Sequence, residues 1–223
     1  TKVSEDGTFG VLIEVNSETD FAARDEGFLA FVDQVLNVAF ETKETDVAVL
    51  MNGALEDARS ALVQKIGENI SVRRIVQLSD KVVGQYVHGN RRIGVLVALS
   101  AGDQVLGKDI AMHIAALNPL YVQRDDVPAE VVEKEKEIFT AQAQESGKPP
   151  EIIEKMIGGR INKYLAEISL VDQPFVKEPD LKVGALAKKS GAEVIGMVRF
   201  EVGEGIEVEE VDFAAEVAAQ LKS

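Results

Sequence analysis

An α+β fold with antiparallel sheets is predicted, and three observations predict it. Apolar residues alternate at period two in three short segments, each followed by an amphipathic helical stretch. One of these segments is fed by a tight hairpin turn, which joins antiparallel strands. Between the second and third units lies a charged stretch with too few apolar residues to bury the first of its two helices. Hairpins with helices on one face of a sheet define the class.

The elements follow in order. Thr1-Lys2-Val3 reads as the tail of a strand, and Glu5-Asp6-Gly7-Thr8 as a turn. The chain thus starts part-way into a hairpin, and a segment upstream is expected to be missing. The first strand, 9–15, puts Phe9, Val11, Ile13 and Val15 on one face. Its helix opens near Gly27 and carries Phe28, Phe31, Val32, Val35, Leu36 and Ala39 at helical spacing. A helix is expected over 47–66, with Leu55, Ala58, Leu62 and Ile66 on one face and Gly67 ending it. The following residues lead into a strand. Residues 85–88, a turn at Gly89-Asn90 and the second strand, 93–99, form a hairpin. Ile93, Val95, Val97 and Leu99 share a face, and Ile110, Ile114 and Leu117 line the next helix.

Over 125–169 the character changes. Asp125 or Asp126 can cap a helix whose first turn holds Pro128 and which is charged nearly all round. Ser146-Gly147-Lys148-Pro149-Pro150 stops it and starts another. The return helix has a thin stripe of Ile153, Ile157, Ile161, Tyr164 and Ile168. This reads as a protruding antiparallel helical hairpin, a coiled-coil arm. Two surface helices lying flat on the sheet are the alternative. The third strand, 194–202, precedes a short helix over 212–221 carrying Phe213, Val217 and Leu221. The first two strand–helix units resemble a duplication, and the third is related more loosely. The expected division is 1–81 as an N-terminal core subdomain, 82–124 with 170–204 as a C-terminal one, 125–169 as the helical hairpin and 205–223 as a C-terminal helical module.

Composition narrows the function. With 223 residues and 46% hydrophobic side chains, the chain can bury a proper core. No run reaches the ~18 apolar residues that cross a bilayer, and no secretory signal is visible. Cysteine is absent, so disulfides, thiolate metal sites and thiol catalysis are excluded. A reducing cytosol is the expected compartment. The net charge of −14 argues against nucleic acid and anionic membranes as partners. It suits a protein with basic patches, although solubility alone also accounts for it.

Catalytic motifs are missing. There are two histidines, His88 and His113, and no serine elbow, phosphate-cradling loop or dinucleotide fingerprint. Gly203-Glu204-Gly205 follows a strand, but Glu204 would repel phosphate. No enzyme, cofactor or metal is expected. The binding candidates begin with Phe21, an aromatic in a polar strand-to-helix turn. It either folds over its own helix as a staple or is offered to a partner. Asp20 beside it either favours the helix N-terminus or reaches a partner. His88 sits at a hairpin tip, whereas His113 beside an apolar stripe reads as a satisfied core histidine. Phe213 and Val217 face either the body or a partner.

Several stretches together resemble the bacterial elongation factor Ts family. Thr19, Asp20, Phe21 and Ala23 match its Thr-Asp-Phe-Val-Ala-Lys-Asn signature, with Ala22, Arg24 and Asp25 departing from it. Tyr86, His88, Gly89 and Arg92 to Val97 match a second motif. Residues 65–70, 173–176 and 199–205 extend the likeness over essentially the whole chain. The resemblance implies a guanine-nucleotide exchange factor for elongation factor Tu, acting in a heterodimer or higher complex. It implies that Phe21 wedges into an apolar pocket of the GTPase domain and Asp20 reaches toward its Mg²⁺. His88 would touch a distal domain of the partner, and the C-terminal helix with Phe213 and Val217 the GTPase domain. A small N-terminal helical domain and the coiled-coil arm are also implied. The rival reading is an acidic scaffold or chaperone-like binding module without exchange activity. A hydrolase using His88 is a third.

Overall fold

The structure, a computed structural model, describes residues 1–206. The expected helix over 212–221, with Phe213 and Val217, lies outside the described residues. Strands β1 (Lys2–Val3), β2 (Phe9–Asn16) and β3 (Ser71–Ser79) form one antiparallel sheet in that order. Strands β4 (Val82–Val87), β5 (Ile93–Leu99) and β8 (Val194–Glu201) form a second antiparallel sheet. The fold class is α+β, as the alternation predicts.

Each sheet carries helices on its outer face. Against the first lie α1 (Glu26–Thr42), the short α2 (Val47–Leu50) and α3 (Ala54–Ile66). Phe28, Phe31, Val35 and Ala39 of α1 close on Val11, Ile70 and Val72. Against the second lie α4 (Gln104–Leu117) and α7 (Val183–Lys189), where Ile110 and Ile114 meet Val95, Val97 and Leu99. A two-stranded ribbon, β6 (Pro174–Phe175) and β7 (Glu178–Lys182), precedes α7. Neither this ribbon nor α7 stands out in the sequence, because both are too short for periodicity to register.

The inner faces of the two sheets meet each other. Leu12 on β2 packs with Val83 on β4 and Leu96 on β5, flanked by Val3, Val76, Leu78, Val198 and Phe200. The period-two reading assigned β2 and β5 one apolar face each, toward helices. Both strands are in fact buried on both faces, with small residues where the sheets approach most closely. A Cβ on Gly94 would lie 2.7 Å from Leu12 Cδ1, and one on Gly10 2.9 Å from Val83 Cγ1.

Three boundaries differ from expectation. The helix expected over 47–66 is broken at Gly53, whose φ of 91° no helix accommodates, so α2 and α3 are separate. Pro128 stands at the N-cap of α5 (Ala129–Gln144) rather than inside its first turn. Asp126 instead caps a preceding 3-10 turn, Arg124–Asp126, through the Gln123 N–H. Strand β8 stops at Glu201.

Helix α5 and its successor α6 (Pro150–Ile168) run antiparallel and pack on each other. Gly147, at φ 64°, makes the turn between them. Ile153, Ile157, Ile161, Tyr164 and Ile168 of α6 are half-buried, so the stripe is real but thin. Arg160 crosses the hairpin, donating to Gln142 Oε1 at 2.8 Å and lying over the Phe139 ring.

Glu14 is the one acidic side chain buried among the described residues. A bulge in β3 opposite Glu14 and Val15 directs two consecutive residues, Arg73 and Arg74, at the same carboxylate. The Gly203 N–H donates to Glu14 Oε1 at 3.0 Å, tying the end of β8 to β2. Arg74 also stacks on Phe200 of the other sheet, 3.9 Å from the ring centre. Burial pushes the Glu14 carboxyl up, but Gly203, Arg74 and Arg73 together hold it below its ordinary 4.5. The stability it contributes is therefore complete above pH 4.5 and is lost as pH falls through the lowered value. Glu14→Gln should cost about 2 kcal/mol at pH 7 in urea unfolding, a gap that shrinks on acidification to pH 3.

Helix α4 approaches β4 at a pair of glycines. A Cβ on Gly84 would fall 2.3 to 2.5 Å from the backbone of Gly107. Backbone atoms cannot step aside as a side chain can, so helix and strand would have to separate. Gly84→Ala should destabilise by roughly 3 kcal/mol, read as a lowered denaturant midpoint. Gly158→Ala, where nothing lies within 4 Å of the added methyl, should be neutral or stabilising.

Candidate functional site

The turn from β2 to α1 is built from short-range hydrogen bonds. Ser17 Oγ donates to the Thr19 carbonyl at 3.2 Å, and the Ala23 N–H donates to the same oxygen at 3.2 Å. Thr19 Oγ1 accepts the Ala22 N–H, also at 3.2 Å. These bonds close a 3-10 turn over Ala22–Arg24, with Phe21 at its N-cap in the helical region. Asp25 then caps α1, accepting from the Gly27 and Phe28 N–H groups at 2.8 and 3.2 Å. Ala22 is buried and anchors the turn to the body.

Phe21 points the other way and is 86% exposed. The staple reading required its ring to fold over α1, and it does not. An isolated exposed phenylalanine loses water-to-apolar transfer energy of about 2 kcal/mol that burial would return. It is the most exposed large apolar side chain among the described residues.

Two longer-range contacts hold this turn. Glu68, just past the Gly67 cap of α3, accepts from the Thr19 N–H at 2.9 Å and the Thr19 hydroxyl at 2.6 Å. Arg92 Nη1 donates to Asp20 Oδ1 at 3.2 Å. Sequence reading missed both. Arg92 belongs to the β4–β5 hairpin that also carries His88, so the two expected segments lie side by side. Asp20 is therefore neither buried nor a cap of α1. Both partners are largely exposed, and such a pair contributes little and is readily exchanged.

The hairpin tip is ordered by its backbone. The His88 N–H donates to the Ile93 carbonyl at 2.9 Å, and the Arg91 N–H to the His88 carbonyl at 2.7 Å. The left-handed position falls on Arg91, at φ 58°, rather than on Gly89 or Asn90. Asn90 Oδ1 accepts the Arg92 N–H at 3.0 Å and steadies that residue. His88 is exposed, its Nδ1 3.4 Å from the Tyr86 hydroxyl. Thr19, Asp20, Phe21 and His88 thus share one end of the molecule, beyond the ends of β2 and β4.

His113 stands apart. It is fully buried in α4, its Nδ1 accepting the Val176 N–H at 3.1 Å and its Nε2 lying 2.8 Å from Gln173 Oε1. An accepting Nδ1 places the proton on Nε2, which donates to Gln173. Burial pushes this imidazole down, against the pull of the Gln173 bond. The ring is a neutral strut between α4 and the β6–β7 ribbon.

Among the described residues no three His, Asp or Glu side chains gather to hold a metal. No described helix is long and apolar enough to cross a membrane. An open groove of about 280 Å³ runs between α1 and α3, and a second of about 420 Å³ lies beside α7. Neither takes in Thr19, Asp20, Phe21 or His88.

Comparison with known proteins bears on what the exposed turn serves. A family model described as elongation factor TS matches residues 18–204, from the turn to the end of the second sheet. The chain is 67% identical over 221 residues to elongation factor Ts of Hahella chejuensis, covering 99% of this chain and 77% of that protein. It is 65% identical over 222 residues to elongation factor Ts of Saccharophagus degradans, with the same coverage. Elongation factor Ts of Legionella pneumophila is 55% identical over 227 residues, again covering 99% and 77%. The matched stretch includes the Phe21 turn, the Glu68 connection and the His88 hairpin, and the chain belongs to the elongation factor Ts family of translation elongation factors.

Proposed function

We propose that the chain promotes GDP release from elongation factor Tu in the cytoplasm, forming a heterodimer or higher complex with that GTPase and catalysing no covalent change. One observation carries the reading: Phe21 stands 86% exposed on a turn whose neighbours are anchored. Exposed aromatics on rigid supports are typical anchors of protein interfaces, where burial in a partner's pocket returns their transfer energy. In this reading Phe21 enters an apolar pocket of the GTPase domain. Asp20 leaves Arg92 and brings a carboxylate toward the Mg²⁺ and phosphate region, where it competes with the nucleotide's own contacts. Thr19 shapes the turn that carries both. His88 touches a second domain of the partner from the neighbouring hairpin.

The physics is differential binding. A protein that prefers the nucleotide-free GTPase weakens nucleotide binding by the same factor by which nucleotide weakens it. Release quickens with no bond cleaved, and the factor leaves unchanged when nucleotide returns. The near-heptad stripe of α6 supports reading the helical hairpin as a coiled-coil arm available to the same partner.

The test is stopped-flow release of fluorescent GDP from elongation factor Tu. The chain should accelerate release in a saturable way. Phe21→Ala should lower the stimulated rate by roughly thirtyfold at limiting factor, the size of an interface hot spot, with an unchanged melting temperature. Wild-type release by the folded variant would remove the wedge. A weaker dependence on salt is expected for Arg92→Ala, because the exposed Asp20 pair no longer has to part.

A further inference from the structure

We propose that Glu68 is the positioning residue for the Phe21 turn, acting through Thr19. The inference deepens the exchange reading above and rests on it. Among the described residues nothing packs around the Phe21 ring to aim it, since the side chain is 86% exposed. Its direction is therefore set by the backbone on either side. On the far side Ala22 is buried and fixed. On the near side Ser17, Glu18, Thr19 and Asp20 are polar, and apart from the exposed Asp20–Arg92 pair the hydrogen bonds that shape them run through Thr19.

Thr19 is where the bonds converge. Its hydroxyl accepts the Ala22 N–H at 3.2 Å and donates to Glu68 Oε1 at 2.6 Å. Its own N–H goes to Glu68 Oε2 at 2.9 Å. A hydroxyl free to rotate would present its lone pairs to Ala22 only part of the time. With its proton committed to Glu68, the lone pairs stay on the Ala22 N–H. The chain of bonds from Glu68 through Thr19 to Ala22 thus spans the two residues, Asp20 and Phe21, that the exchange reading uses.

Glu68 is itself well seated. The Gly67 N–H closes α3 on the Val63 carbonyl at 2.8 Å, and Ile70 two residues later is fully buried. The carboxylate is therefore carried by a connection pinned at both ends. Charge-assisted bonds of this kind are short and directional, and here both oxygens are used.

Two measurements on Glu68→Ala, Thr19→Val and Thr19→Ser test the assignment. In the free protein, ¹⁵N relaxation should show the Asp20 and Phe21 amides losing order in Glu68→Ala and Thr19→Val, while Thr19→Ser keeps them ordered. In fluorescent GDP release from elongation factor Tu, Glu68→Ala should slow the stimulated rate about tenfold. In a Phe21→Ala background the same change should have a clearly smaller effect on the residual rate, what remains acting through Asp20. Unchanged amide order overturns the proposal, and so does an equal loss of rate in both backgrounds. Failure of the exchange reading looks different: the unaltered chain then fails to accelerate release, while relaxation still decides whether Glu68 orders the turn.

Discussion

The face-to-face contact of the two sheets is the constraint on which the other features depend. Leu12, Val83 and Leu96 fill it, and Gly10 and Gly94 let it close. Because both sheets are three-stranded and antiparallel, neither could bury a second face alone. Their stacking makes β2 and β5 central in every direction, with helices outside and a sheet inside. It also puts the end of β2 beside the β4–β5 hairpin. The Asp20–Arg92 contact and the shared end of Thr19, Phe21 and His88 are consequences of that stacking.

Glu14 shows how such an interior admits charge. A carboxylate on the inner face of β2 would be costly alone. The bulge in β3 supplies two guanidinium groups, and the turn after β8 supplies a backbone donor. All three come from segments far from Glu14 in sequence. The carboxylate thus ties three strand ends together and is satisfied only when both sheets are in place. The Gly84–Gly107 contact does for α4 what Gly10 does for the sheets, setting a distance that leaves no room for a side chain.

Much of the fold was legible because it is periodic. Val11 and Val95 repeat at two, Phe28 and Val35 at helical spacing, and the stack of helix on strand follows. The inner faces were less legible. Gly10, Leu12 and Glu14 alternate with the outer set, yet a glycine and a glutamate do not announce a buried face. Gly53 broke a helix that its apolar stripe favoured, since a stripe reports burial and not backbone angle. At the site, the Thr19-Asp20-Phe21 motif and the His88 hairpin were visible. Glu68 and Arg92 were not singled out for their roles, because their contacts span 49 and 72 residues and leave no local pattern. In a chain with 38 acidic residues, no single glutamate draws notice. The available signals were its place directly after the glycine that ends α3 and its inclusion in the resembling stretch 65–70.

The bare ring at Phe21 has one further consequence. A protein that displays an apolar group on every free molecule risks sticking to itself. Each copy here carries a net charge of −14, so two copies approach against mutual repulsion. The same charge draws in a surface that is locally basic. Repulsion between copies thus acts over the whole surface and at long range. The acidic composition then acts as a colloidal safeguard, letting one exposed aromatic stay exposed without becoming a seed for aggregation.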